Sequence, residues 1–294
     1  MKLYLLSPEG VPMNQHLFPM FIDEWERQGV RVVDDIESAD VVLFDLHSRI
    51  ADYKEYDIDY ILRNDLPIAT FDEWDRGNMS KDVWPKPLTN QQANVMAHRM
   101  GRSVHFCRLL DKRLSLPKNI YPYEKPYFID EGLLTPDELF NRPIDVTYIA
   151  NTAPNREEIK KAFEADGRLK CNFILGAEKL PFDKWVDENR KSKFTISASG
   201  GGYSDEKKQN LFSICAIIQE RTKQLLLHPL VHEIHCLKIS QPPTKEDLDV
   251  IFNIVNDKER LYEIYKNGYE YMKKYYSSNY IASDILSKIK QHLT

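Results

Sequence analysis

The chain has 294 residues, 42% of them hydrophobic and 29% charged, which is enough apolar material for one large core or two medium ones. Its 40 basic and 45 acidic side chains leave a formal net charge of −5, which excludes a global attraction to nucleic acid or anionic lipid while leaving room for a local basic groove. No apolar run approaches the ~20 residues that a membrane span needs, and the opening strand-like run gives way at once to Ser7-Pro8-Glu9-Gly10 rather than to a signal peptide, so a cytoplasmic location is expected.

Residues 2–6 read as a buried strand, 7–16 as a loop carrying Gly10, and 17–28 as an amphipathic helix stopped at Gly29. Further short buried strands are expected at 30–33, 41–44, 67–71 and 104–109, with helices at 50–63 and 90–100. Strands separated by helices imply parallel pairing with right-handed crossovers. From 117 to 143 the texture changes: Pro117, Pro122, Pro126, Pro136 and Pro143 forbid long helices and central strands, so an extended linker is expected. The alternation then restarts, with strands at 144–150, 170–175 and 194–199, helices at 156–165 and 182–191, a glycine loop, and a helix from about 206. Residues 247–255, 258–275 and 280–292 repeat apolar positions at three and four spacing and read as a helical tail, with Ser277-Ser278-Asn279 as a break and cap. The expected fold is α/β: two Rossmann-like, doubly wound parallel-sheet domains facing a cleft, one over 1–116 and one over 144–294, the second ending in the helical tail.

Cys107, Cys171, Cys215 and Cys236 are widely spaced and form no Cys-x-x-Cys pair, which suits reduced, buried thiols. His228, His232 and His235 recur at spacings of four and three and could share one helical face, but His232-Glu233-Ile234-His235 is one residue short of the zincin pattern. No metal site is expected from them.

Two loops carry the chemistry. In Asn151-Thr152-Ala153-Pro154-Asn155-Arg156-Glu157, hydroxyl, amide and guanidinium donors gather at a helix start, where Arg156 can pair with a phosphate oxygen; an N-cap followed by a solvated arginine is the plainer alternative. In Lys193-Phe194-Thr195-Ile196-Ser197-Ala198-Ser199-Gly200-Gly201-Gly202-Tyr203-Ser204-Asp205, a strand empties into three glycines ahead of a polar segment. Bare backbone amides beside a helix N-terminus receive phosphate or diphosphate groups, whereas a simple surface turn would also use glycines. A parallel sheet binds ligands beyond the carboxyl ends of its strands, so both loops should open on one edge.

These residues resemble the nucleotide-sugar glycosyltransferases of the GT-B fold, including the group 1 and exostosin-like transferases. Arg142-Pro143-Ile144-Asp145-Val146-Thr147-Tyr148-Ile149-Ala150-Asn151, followed by Asn155-Arg156, is similar to the start of the family's donor-binding domain. Residues 193–202, with 207–218 after them, resemble its diphosphate loop and following helix, and residues 257–268 with Tyr275-Tyr276-Ser277 resemble its closing helices. The resemblance implies a nucleoside-diphosphate sugar as donor, a uridine diphosphate sugar being the first choice, with no further cofactor and no divalent metal indicated. Asn151, Thr152, Asn155, Arg156, Gly200, Gly201, Gly202, Tyr203, Lys207 and Asn210 would then bind the donor. Where many members carry an arginine and, three positions later, a glutamate that binds the donor ribose, this chain has Lys207 and Asn210, which leaves the donor's identity open.

Glycosyl transfer also needs a group to take the acceptor's proton. Thr70-Phe71-Asp72-Glu73-Trp74-Asp75-Arg76-Gly77 places carboxylates at the end of a strand, and Asp72, with Asp75 in reserve, is the expected base; a solvated loop is the alternative. The position is similar to that of the base aspartate in the phage enzymes that glucosylate hydroxymethylcytosine in DNA. His16 and Trp74 are candidates for acceptor contact, against helix capping and packing respectively. The acceptor is a surface glycan or a hydroxymethylated base of phage DNA, the oligomeric state is open, and a catalytically weakened GT-B-like binding protein is the alternative function.

Overall fold

A computed structural model describes residues 1–6, 19–45, 53–72, 102–107, 118–122, 130–176, 180–198, 211–221 and 226–293. The chain forms two compact units, one of Met1–Lys125, Leu225–Leu227 and Ser278–Thr294, the other of Pro126–Gln224 and His228–Ser277.

The first unit contains strands β1 (Lys2–Leu6), β2 (Arg31–Val33), β3 (Val41–Asp45), β4 (Ile68–Asp72), β5 (Ser103–Cys107) and β6 (Ile120–Pro122). They form one all-parallel sheet in the order β2-β1-β3-β4-β5-β6. Helix α2 (Glu55–Asn64) packs Ile58 and Ile61 with Val42, Phe44 and Ile68 on one face. The other face buries Leu3, Leu43, Phe71 and Phe106 with Phe21 and Trp25 of helix α1 (Pro19–Arg27) and with helix α8 (Ser278–Leu293). Ile281, Ala282, Ile285, Leu286 and Ile289 of α8 recur at the spacing that builds one helix face. Trp25 Nε1 donates to the Ala282 carbonyl at 2.9 Å, so even the polar atom of the buried indole is satisfied.

The second unit contains helix α3 (Pro136–Phe140), β7 (Ile144–Ala150), α4 (Pro154–Asp166), β8 (Cys171–Leu175), α5 (Phe182–Arg190), β9 (Ser192–Ser197), β10 (Ala216–Glu220), β11 (Leu237–Ile239), α6 (Lys245–Val255) and α7 (Lys258–Tyr275). Its parallel sheet runs β11-β10-β9-β7-β8. One face is hydrophobic apart from the Tyr148 hydroxyl: Val146, Tyr148, Phe194, Ile196, Ala216, Ile218, Leu237 and Ile239 share a core with α6 and α7. Beyond it α7 carries Gly268 at a point where a Cβ would stand 2.4 Å from the His235 carbonyl oxygen and 2.5 Å from the Phe212 ring.

Three expectations are corrected. The proline-rich stretch supplies more than a linker, since residues 120–122 form the edge strand β6, where proline costs no ladder bond, and Pro136 opens α3 behind a Thr135–Glu138 capping box. The helix expected after the glycine loop does not run through Ile218. Residues 211–213 form one tight helical turn, and the β-branched pair Ile217 and Ile218 belongs to the fully buried strand β10. Finally, the last helix of the tail, α8, packs in the first unit although the tail was expected to belong to the second domain. The expected helix over 90–100 lies outside the described residues.

Candidate donor site

In the second sheet β8 lies on one side of β7, while β9, β10 and β11 continue on the other, so strand order reverses between β7 and β9. Such a reversal opens a crevice at the carboxyl ends of the two strands, because the connections leave toward opposite faces of the sheet. β7 ends at Ala150 and leads into Asn151-Thr152-Ala153, and β9 ends at Ser197 and leads through the buried Ala198 toward the glycines. The register Val146 to Phe194 and Thr147 to Thr195 makes the two strands direct neighbours, so the two chemically marked segments leave from one edge.

Helix α4 begins there with Pro154 at its first position and Ala153 at its N-cap, with no side-chain cap bond. By contrast α6 is closed by a Thr244–Asp247 capping box, and α7 by Asp257. The first backbone amides of α4 therefore receive no side-chain cap, and Glu157 is the one acidic residue of its first turn. Arg156 folds back over this turn: its Nη1 donates to the Asn151 carbonyl at 3.0 Å. Its Nε is buried with no hydrogen-bond partner among the described residues. Asn151 and Thr152 are exposed, and Asn155 is half-buried. Gly200, Gly201, Gly202, Tyr203, Lys207 and Asn210 lie outside the described residues.

In the first unit the reversal falls between β1 and β3. Asp72 is the last residue of β4, paired with Cys107, so it stands at the carboxyl edge expected of it. His16, Trp74 and Asp75 lie outside the described residues. The strand at the reversal itself, β3, ends in Asp45, which sequence reasoning missed because the expected strand stopped at Phe44. Beneath Asp72, Thr70 Oγ1 and His105 Nδ1 are 2.7 Å apart, and Ser103 Oγ lies 2.9 Å from His105 Nε2. Burial pushes His105 down to about 4, so it is held neutral.

The histidines of the second unit do not share a helix. They sit in the turns ahead of β11, where His232 Nδ1 accepts from the Lys238 amide at 2.9 Å and His235 Nδ1 accepts from the Val231 amide at 3.1 Å. His235 and His228 stack on Tyr271 and Tyr275, with ring centroids 4.1 and 4.4 Å apart. Among the described residues no group of three His, Cys, Asp or Glu side chains could hold a metal ion, and no helix is long and apolar enough to cross a membrane. Cys107, Cys171, Cys215 and Cys236 are all thiols, none joined in a disulfide, and burial pushes the Cys236 thiol up to about 12.

The whole chain superposes on solved structures. Alr3699/HepE of Anabaena, crystallised in complex with UDP, matches with a TM-score of 0.56 at 8% identity over 99% of this chain and 100% of that one. The chain has a GT-B glycosyltransferase-like fold. A glycosyltransferase of Rickettsia africae ESF-5 (TM-score 0.55, 9% identity, 100% and 98% coverage) and an α1,3-fucosyltransferase (0.51, 9%, 100% and 90%) share this GT-B fold. No protein-family profile and no curated protein matches the sequence.

Proposed function

We propose that this GT-B chain transfers a sugar from a nucleoside-diphosphate sugar, a uridine diphosphate sugar by preference, to an acceptor hydroxyl. The observation that carries the reading is the strand reversal between β7 and β9, where the uncapped start of α4 and the unspent Nε of Arg156 lie beside the strand that leads into Gly200-Gly201-Gly202. A diphosphate there takes charge-assisted bonds from the guanidinium and dipolar stabilisation from the helix amides. Lys207 adds a second cation, so the departing diphosphate is neutralised by protein groups and no divalent metal is needed. The fold likeness supports the same reading, since the Anabaena protein of this architecture was also crystallised with UDP-glucose.

Asp72, or Asp75 three residues after it, takes the proton from the acceptor hydroxyl. The acceptor is a glycan or a hydroxymethylated DNA base, and His16 and Trp74 contact it. The deciding experiment is a thermal-shift screen over nucleoside diphosphates and their sugars, followed by hydrolysis of any hit with and without EDTA. A rise in melting temperature with a uridine, guanosine or cytidine diphosphate, and turnover that survives EDTA, is expected; no shift with any of them refutes the reading. Asp72→Asn and Asp75→Asn, tested separately, should leave binding intact while one of them slows turnover by about 10²–10⁴-fold. Duplex DNA carrying hydroxymethylcytosine should bind with steep salt dependence if DNA is the acceptor, and a glycan acceptor predicts no such binding.

A further inference from the structure

The second sheet breaks a rule of its class. Strands of a parallel sheet covered on both faces are normally apolar on both, yet here the face opposite the apolar one carries Thr147 on β7, Thr195 and Ser197 on β9, and Gln219 on β10. The register shows that these belong together: Thr147 faces Thr195, and Ser197 faces Gln219. Ile217, two residues before Gln219 on the same face, shares a core with Val186 of α5 and with Leu230, so the face is covered rather than solvated. Gln219 is 1% exposed, and among the described residues neither its Oε1 nor its Nε2 has a hydrogen-bond partner; the Oγ1 atoms of Thr147 and Thr195, both 0% exposed, have none there either.

An amide with two donor hydrogens and an acceptor, removed from water and left without a partner among the described residues, costs folding free energy that a methyl-rich side chain of the same length would not. A local rule broken at such a cost marks functional positions more often than packing ones. The place of Gln219 supports that reading, because it lies one residue short of the end of β10 and opposite the last residue of β9, the strand that leads to the glycines. Strands are spaced ~4.8 Å apart and β9 lies between them, so β10 is about 10 Å from β7, the strand that leads into α4. A nucleoside-diphosphate sugar anchored by its diphosphate over β7 and β9 is long enough to span that distance.

We propose that Gln219 is a donor-recognition residue, its side-chain amide exchanging paired hydrogen bonds with an adjacent donor and acceptor on the nucleoside-diphosphate sugar. The proposal rests on the transferase reading above. The matching chemistry is the imide edge of a uracil ring or a vicinal diol of the sugar, both of which offer one donor and one acceptor side by side.

The test compares wild type with Gln219→Met, which keeps length and volume, and Gln219→Leu as a second variant. Affinity for UDP and UDP-glucose, with the guanosine and cytidine counterparts, is measured by calorimetry, and melting temperature is measured without ligand. The expected result is an affinity about tenfold weaker with no fall in melting temperature, because unpaired amide atoms leave the interior and no bond of the free protein is lost. Equal loss for UDP and UDP-glucose places the contact on the nucleoside, and loss confined to UDP-glucose places it on the sugar. Unchanged affinity in a wild type that binds nucleotide overturns the proposal alone. A fall in melting temperature in both variants identifies a structural amide and overturns it as well, whereas a wild type that takes up no nucleotide overturns the transferase reading together with it.

Discussion

Arg156 has a geometry that makes its contribution measurable by itself. One of its nitrogens is committed to the Asn151 carbonyl and its buried Nε is not, so the side chain is already positioned before any anion arrives. Hydrogen bonds to charged groups are worth about 1.5–3 kcal/mol, and Arg156→Ala should weaken nucleoside-diphosphate binding by about 10–100-fold in calorimetry while the melting temperature of the free protein barely moves. Gly268 is the opposite kind of residue, with no chemistry and no tolerance. A methyl there meets a backbone oxygen and an aromatic ring at distances that real Cβ atoms do not adopt. The gain in helix propensity from Gly268→Ala, about 1 kcal/mol, is outweighed by the displacement, and a net loss of about 1–2 kcal/mol is expected as a lower denaturant midpoint. His105 contributes through its protonation. Its folded value lies near 4, against about 6.5 in the unfolded chain, so its contribution is complete above pH 6.5 and is lost as pH falls toward 4. The loss amounts to about 3 kcal/mol, and the difference in unfolding free energy between wild type and His105→Gln should narrow across that window.

At the scale of elements, α8 decides whether the first unit exists. Its four large aliphatic side chains at 281, 285, 286 and 289 are at most 4% exposed against the sheet. At about 1.5–3 kcal/mol for each, an upper figure given a compact unfolded state, they contribute an amount comparable to a typical domain's whole margin of stability. A chain ended after Ser277 should therefore lose the first unit's cooperative transition by circular dichroism, and a synthetic peptide of residues 278–294 added in trans should restore it. The same scale shows what could be read beforehand. Strands β1, β3, β4 and β7, and helix α7 at its stated bounds, follow from apolar runs and periodicity. β6 was hidden by prolines that an edge strand tolerates, and β10 by an apolar pattern too short to separate strand from helix without its pairing partners. The pairing of α8 with a sheet more than one hundred and fifty residues earlier leaves no local trace in either segment.

For the molecule as a whole, the architecture was legible because two rounds of strand and helix alternation are written along the chain. Of the proposed donor rim, Asn151, Thr152, Asn155 and Arg156 are singled out in the sequence by hydrogen-bond donors clustered at a helix start, and the structure puts that segment at the strand reversal. The proposed role of Gln219 was not legible in the sequence, since a lone glutamine acquires meaning only when its burial and its lack of a partner among the described residues are known together.

The return of α8 to the first sheet also sets a timetable. A ribosome releases residues 1–125 long before 278–294, so the nascent amino-terminal sheet stands with one flank covered by α1 alone while the next hundred and fifty residues emerge. The unit made second is thus the first able to complete itself. Newly made chains must shield the waiting hydrophobic flank until translation has delivered its lid, which is the interval in which a chaperone would bind.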